Sequence, residues 1–253
     1  GLQARWEMLV DGVRRAAGTL DLPDVAPHSS VDVPLPCVLP TEPAGPGRGA
    51  VHLTVRWTLR RATAWAPTGH LVAIDQVALR SAARGSRPPE RGSDAAIDDL
   101  LVEPVQPWLF RAPVDNDGFK LMPELAERIR VGGMALLRWQ QQGIDTAAPA
   151  DVLPSTFDRT DTANGVEFRH AITVPEEFAD LPRVGARFAV PARFTQLRWF
   201  GRGPHENYPD RNGGAVLGVW SGSPDEPPYL VPQEFGLRTD CRWLELIDPV
   251  AGE

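Results

Sequence analysis

Arg198-Trp199-Phe200-Gly201-Arg202-Gly203-Pro204-His205-Glu206-Asn207-Tyr208-Pro209-Asp210-Arg211 is the stretch whose reading decides the fold. It opens as a strand, because Phe194, Leu197, Trp199 and Phe200 are the apolar and aromatic residues of a half-buried β-segment. Gly201 and Gly203 then permit backbone angles closed to other residues. Pro204 and Pro209 fix φ and remove two amide donors, so an ordinary sheet ladder cannot continue through the loop. Asn212-Gly213-Gly214 is a turn signal before a second strand, Ala215 to Trp220. A rigid loop at a strand end thus carries His205, Glu206, Asn207, Tyr208, Asp210 and Arg211. Such loops collect binding residues, but polar groups at a structural corner also satisfy one another, and the residues alone leave both readings open.

Working outward, Val51-Leu53-Val55-Trp57-Leu59 gives the cleanest period-two alternation, and Leu2 to Val10 shows the same pattern before an Asp11-Gly12 turn. Val13 to Leu20, Ser30 to Leu35 and Gly69 to Leu79 are read as further strands, so residues 1–85 are expected to form an immunoglobulin-like sandwich. Residues 86–99 have a linker's composition. Residues 100–253 form the second unit. It holds one short helical segment over 123–142, with Pro123 in its first turn and Gly143 as its cap. Strands follow at Val166 to Val174, Arg187 to Pro191, Phe194 to Phe200, Ala215 to Trp220, Tyr229 to Val231 and Arg238 to Leu246. The fold class is all-β, in keeping with 26 prolines and 23 glycines that punctuate short segments.

A net charge of −7 argues against a nucleic-acid partner, and no apolar run approaches the ~20 residues of a membrane span. Cys37 and Cys241 lie far apart without CxxC or CxxH company, so two free thiols in a reducing, cytoplasmic setting are expected rather than a zinc site. Asp115 and Asp117 are the nearest thing to a carboxylate pair. On a strand they would point the same way, and Arg111 would hold both ionised in an Arg–Asp clamp that fixes a turn. Glu206 with Asp210, and Glu234 with Arg238, are similar cases. His205 beside Glu206 is an acid–base pair in sequence only. His70 reads as a loop histidine, and Trp6, Trp57 and Trp199 as core.

The opening stretch closely resembles the GxGPxENYPDR segment in the C-terminal β-sandwich domain of glycoside hydrolase family 2 β-galactosidases, the large lactose-hydrolysing type. Two further segments are similar to that domain in the same order. Phe110-Arg111-Ala112-Pro113-Val114-Asp115-Asn116-Asp117 matches RAPxDND, and Pro232-Gln233-Glu234-Phe235-Gly236-Leu237-Arg238 matches PxExGxR, with Phe235 where Asn is more usual. Ala64-Trp65-Ala66-Pro67, Gly69-His70 and Gln76 resemble the sandwich that follows the family's catalytic barrel.

The resemblance implies a galactose-mutarotase-like supersandwich over 100–253, incomplete here. Strands expected between Ala82 and Asp98, and others between Gly143 and Val174, are read as absent. It implies the non-catalytic part of a retaining β-galactosidase that supports the barrel, one wall of the galactoside pocket and oligomer contacts. Retention needs two carboxyl groups ~5 Å apart. In the family both glutamates and the metal ligands belong to the barrel, so no catalytic residue, metal ligand or cofactor is assigned to this chain. The expected partners are a β-galactoside, the barrel in cis or in trans, and further copies of the chain. The competing readings are a stand-alone carbohydrate-binding module and a separately encoded small subunit. Arg111, Asp115, Asn116, Asp117, His205, Glu206, Asn207, Tyr208, Asp210, Arg211 and Glu234 are the candidate carbohydrate contacts or structural clamps.

Overall fold

A computed structural model describes residues 1–35, 37–40, 49–81, 97–118, 135–144, 153–162, 165–178, 181–224 and 233–251. The chain gathers into two compact units that do not follow its linear order. One comprises Gly1–Arg91, Thr195–Glu226 and Gly236–Gly252, and the other Gly92–Phe194 with Pro227–Phe235. Strands from the Trp199 and Trp243 segments therefore share a unit with the N-terminal strands.

The first unit holds two antiparallel sheets. Strands β1 (Leu2–Val10), β2 (Val13–Leu20), β3 (Val51–Leu59) and β4 (Leu71–Arg80) form one, in the order β2-β1-β3-β4. Asp11 and Gly12 join β1 to β2 with φ of 50° and 81°, the left-handed angles that a two-residue hairpin requires. A Cβ on Gly12 would lie 2.8 Å from the Val219 side chain, so space as well as angle reserves this position for glycine. The Asp11 carboxylate accepts hydrogen bonds from Gly49 N and Ala50 N, which brings the chain back to start β3.

Alternation puts Ala4, Trp6, Met8, Leu20, Val51 and Leu53 into one core, with Leu22 and Cys37 packed against it. The opposite face of β3 presents His52 and Thr54, both buried. The second sheet has the order β10-β9-β11, with β9 (Gln196–Gly203) central between β10 (Val216–Gly222) and β11 (Trp243–Ile247). Phe200, Leu217 and Trp243 form its core. Gln76 of β4 reaches the edge strand β10. Its Nε2 donates to Leu217 O at 2.7 Å, and Leu217 N donates to its Oε1 at 2.8 Å. One side-chain amide thus makes the two bonds that a neighbouring strand would make there.

The second unit contains α1 (Ile97–Leu100), α2 (Ala135–Gln141) and two antiparallel strand pairs. These are β5 (Glu103–Trp108) with β8 (Gly185–Ala189), and β6 (Ser155–Thr162) with β7 (Gly165–Ile172). Among its described residues, Leu109, Trp139, Ile144 and Leu153 are the buried hydrophobic ones. Phe157 and Phe168 stack at 5.9 Å across the β6–β7 hairpin, and Arg159 pairs with Asp98 at 2.8 Å.

The molecule is all-β with short helices, as expected, and several details differ. Ser30 to Leu35 is not a strand: Pro34 removes a ladder donor, and Val31 and Leu35 are exposed. The window 143–174 holds strand β6, whose sequence STFDRTDT carries too little apolar pattern to be read as one. The segment Asp115–Asp117 is a 3-10 turn, not a strand. Of the helix expected over 123–142, residues 123–134 lie outside the described residues, as do Tyr229 to Val231 and most of the 86–99 linker. Both cysteines are free thiols.

Candidate functional site

The loop that leaves β9 is set by aromatic packing. Trp199 and Phe200 are fully buried. Trp199 Nε1 donates to Arg202 O and Trp220 Nε1 to Gly201 O, each at 3.1 Å, which closes the backbone around both indoles. A Cβ at Gly203 would sit 2.5 Å from Trp220 Cδ1, so only glycine lets the chain pass. The Gly203–Pro204 peptide is cis, and residues Pro209–Gly214 form a 3-10 turn.

Within this loop the polar residues are spent on the 236–239 segment. Asn207 is 1% exposed. Its Oδ1 accepts from Thr239 N at 2.9 Å and lies within hydrogen-bond distance of Thr239 Oγ1, while its Nδ2 donates to His205 O at 3.0 Å. Asn207 N also donates to Leu237 O at 2.8 Å. The Glu206 carboxylate accepts from Gly236 N at 2.5 Å and pairs with Arg211 at 2.9 Å. Burial raises the Glu206 pKa, but the Gly236 amide and the Arg211 guanidinium outweigh it and hold the group below its ordinary 4.5. Arg211 also lies 5.1 Å from the Tyr208 ring centroid. His205 and Asp210 are exposed. Thus Arg211 pairs with Glu206, five residues away, and this motif works as a staple between two loops.

The second motif is a clamp of the second unit. Arg111 holds Asp117 with two parallel bonds, NH1 to Oδ2 at 2.6 Å and NH2 to Oδ1 at 2.9 Å. Asp117 Oδ2 also accepts from Val114 N, which fixes the 3-10 turn. Asp115 O accepts from Gly118 N within that turn, and Asn116 is exposed. Arg111 Nε lies 3.6 Å from Glu234 Oε2, and Arg183 pairs with the other oxygen of the same carboxylate. Glu234 is therefore shared between two arginines, one of which, Arg183, no sequence motif singled out. These charged groups and Gln233 line a cavity of 360 Å³ together with Trp108 and Phe110.

Sequence reasoning found the motif residues and the pairing of Arg111 with Asp117, but not the partners supplied by other segments. Thr239 was one residue beyond a motif, Arg183 lies 51 positions from Glu234, and Gln76 lies 141 from Leu217. Among the described residues no three His, Cys, Asp or Glu side chains converge as a metal would need, and no helix is long and apolar enough to cross a membrane.

Comparison with known proteins adds two family matches in chain order. Residues 1–80 match the model of β-galactosidase domain 4, and residues 93–250 match that of the β-galactosidase small chain. A β-galactosidase of Arthrobacter sp. (strain B7) is 30% identical over 295 residues, covering 96% of this chain and 29% of that protein. A β-galactosidase of Klebsiella pneumoniae is 29% identical over 95% of this chain and 28% of its own length. One from Vibrio cholerae reaches 43% identity over 83 residues. The chain thus spans less than a third of the length of the relatives that it matches end to end. The Arthrobacter alignment is longer than the chain itself, so that relative carries internal residues lacking here.

Proposed function

Since the chain belongs to the β-galactosidase family, through both domain 4 and the small chain, we propose that it serves as the non-catalytic region of an enzyme that hydrolyses terminal β-D-galactosides with retention. In this reading the two catalytic glutamates and the metal ligands lie on a barrel outside this chain, supplied in cis or in trans. This region then buttresses that barrel, shapes one side of the galactoside pocket and offers contacts to further copies.

The carrying observation is that the family's marker residues make structural joints. Asn207, Glu206 and Arg211 staple two loops, and Arg111 with Asp117 pins a turn. Carboxylates engaged in such joints have their oxygens committed, and Glu206, whose pKa the Gly236 amide and Arg211 hold below 4.5, is a poor proton donor where an acid catalyst must be a good one. They suit a scaffold that fixes loops beside a neighbouring domain.

Reconstitution tests the proposal. The chain alone is expected to give no turnover of a chromogenic β-galactoside, and the chain joined to or mixed with a β-galactosidase barrel to restore it. Turnover by the chain alone would overturn the assignment.

A further inference from the structure

We propose that His52 is a proton-operated latch between the two sheets of the first unit: the neutral imidazole keeps them closed, and its protonation releases β9, β10 and β11, with the loops that they carry, from β1–β4. This device lies beyond the family reading and draws on none of it.

Alternation along β3 decides which way His52 faces. Val51 and Leu53 belong to the core on one side of the sheet, so His52 and Thr54 belong to the other. Thr54 accepts from Gln76, and Gln76 holds Leu217 of β10, so this face meets the second sheet. Gly12, in the turn beside it, lies against Val219 and Phe200. His52 is 5% exposed, and its Nδ1 is buried without a hydrogen-bond partner among the described residues. A neutral ring loses one hydrogen bond there. An imidazolium would lose its hydration, a far larger cost.

The charges around the ring oppose the proton more than they invite it. Arg202 of β9 and Arg242, just before β11, repel it from the second sheet. Asp11 and Asp240 attract it, but both are engaged elsewhere. Asp11 is held by Gly49 N and Ala50 N, and Asp240 by Arg202 and Arg242. Further along the same face of the first sheet, Glu7 pairs with Arg56, while Arg5 and Arg14 are exposed. Burial first, and then the two arginines, hold the His52 pKa below 6.5.

Separating the sheets relieves both effects together. It carries Arg202 and Arg242 away and lets water reach the ring, so the open form binds the proton more readily. The open form therefore gains as pH falls through 6.5, and the gain levels off below the native value. Backbone ladders build each sheet, whereas Gln76 joins the two through its side chain, so the joint yields before the ladders do. The loops at 204–214 and 236–239 leave as one piece, because Asn207 and Glu206 staple them to each other. Protonation thus moves the motif-bearing loops without dismantling them.

The test is hydrogen exchange of the 253-residue chain, read by mass spectrometry at pH 7 and pH 5 and corrected for the intrinsic pH dependence of exchange. Protection in β9, β10 and β11 is expected to fall several-fold between the two, with Leu217 N among the first amides to exchange. The β1–β3 ladder should keep its protection. His52→Leu should abolish the fall. Arg242→Gln should make it shallower, because the ring in the closed form then takes up the proton more easily. Asp240→Asn should make it steeper, and asparagine suits the φ of 54° at that position.

The proposal is overturned by unchanged protection in β9–β11, by an equal loss in β1–β3, which is global unfolding, or by a loss that persists in His52→Leu. Should His52→Leu fail to fold, equal pH responses in Arg242→Gln and Asp240→Asn overturn it instead.

Discussion

Replacing Asn207 by alanine removes a donor and an acceptor from a position that is 1% exposed. Thr239 N and His205 O would lose their partners in a place with little access to water. Stranded buried polar groups cost ~1–3 kcal/mol each, so a stability loss of about 3 kcal/mol is expected in chemical denaturation. An unchanged midpoint would show that the two loops hold together without the amide.

His52 carries a different kind of cost. It is 5% exposed, and its Nδ1 has no hydrogen-bond partner among the described residues. Burial lowers its pKa below 6.5, with Arg242 and Arg202 adding to the shift and Asp11 and Asp240 opposing it. The folded state thus binds this proton less readily than the unfolded state. Stability falls as pH drops below about 6.5 and levels off once pH passes the lowered native value. A His52→Leu variant should lack that slope in Tm between pH 7 and 5, whereas the loss from Glu206, whose native pKa is depressed, begins only below its ordinary 4.5.

At the scale of elements, the Gln76 amide is the contact to remove. Its two bonds to Leu217 and a third to Thr54 at 2.9 Å tie one sheet to the edge of the other. Gln76→Ala is expected to cost about 2 kcal/mol and to speed hydrogen exchange at Leu217 N more than at the β9–β10 ladder amides. Equal exchange at all of them would assign the edge another guard.

The strands themselves were legible where alternation was strong, as in β1 and β3. They were illegible where tertiary contacts replace pattern. Strand β6 is held by its ladder to β7, by Phe157 against Phe168 and His170, and by exposed charge pairs, and Ser30 to Leu35 has the alternation but keeps Val31 and Leu35 in water. The site divides the same way. The motifs mark Glu206, Asn207 and the Arg111–Asp117 clamp locally, yet the loop staple depends on Thr239 and Gly236 from another segment, and the cavity wall on Arg183. Ion pairs and amide bonds between distant segments leave no periodic trace in a sequence.

For the whole molecule, the division into units sets an order in time. Residues 92–194 stand between the strands of the first sheet and those of the second sheet in the same unit. A ribosome adds ~5–20 residues per second, so roughly 5–20 s separate the emergence of β4 from that of β9. During that interval the face bearing His52, Thr54 and Gln76 waits without Leu217 and its neighbours. Nascent chains arrested before Thr195 are expected to be cut by protease within residues 1–80, and chains released after Ile247 to resist. Protection already present in the shorter chains would mean that the first sheet stands alone. Otherwise the first sheet, once made, is held open to chaperones until β9, β10 and β11 have been synthesised.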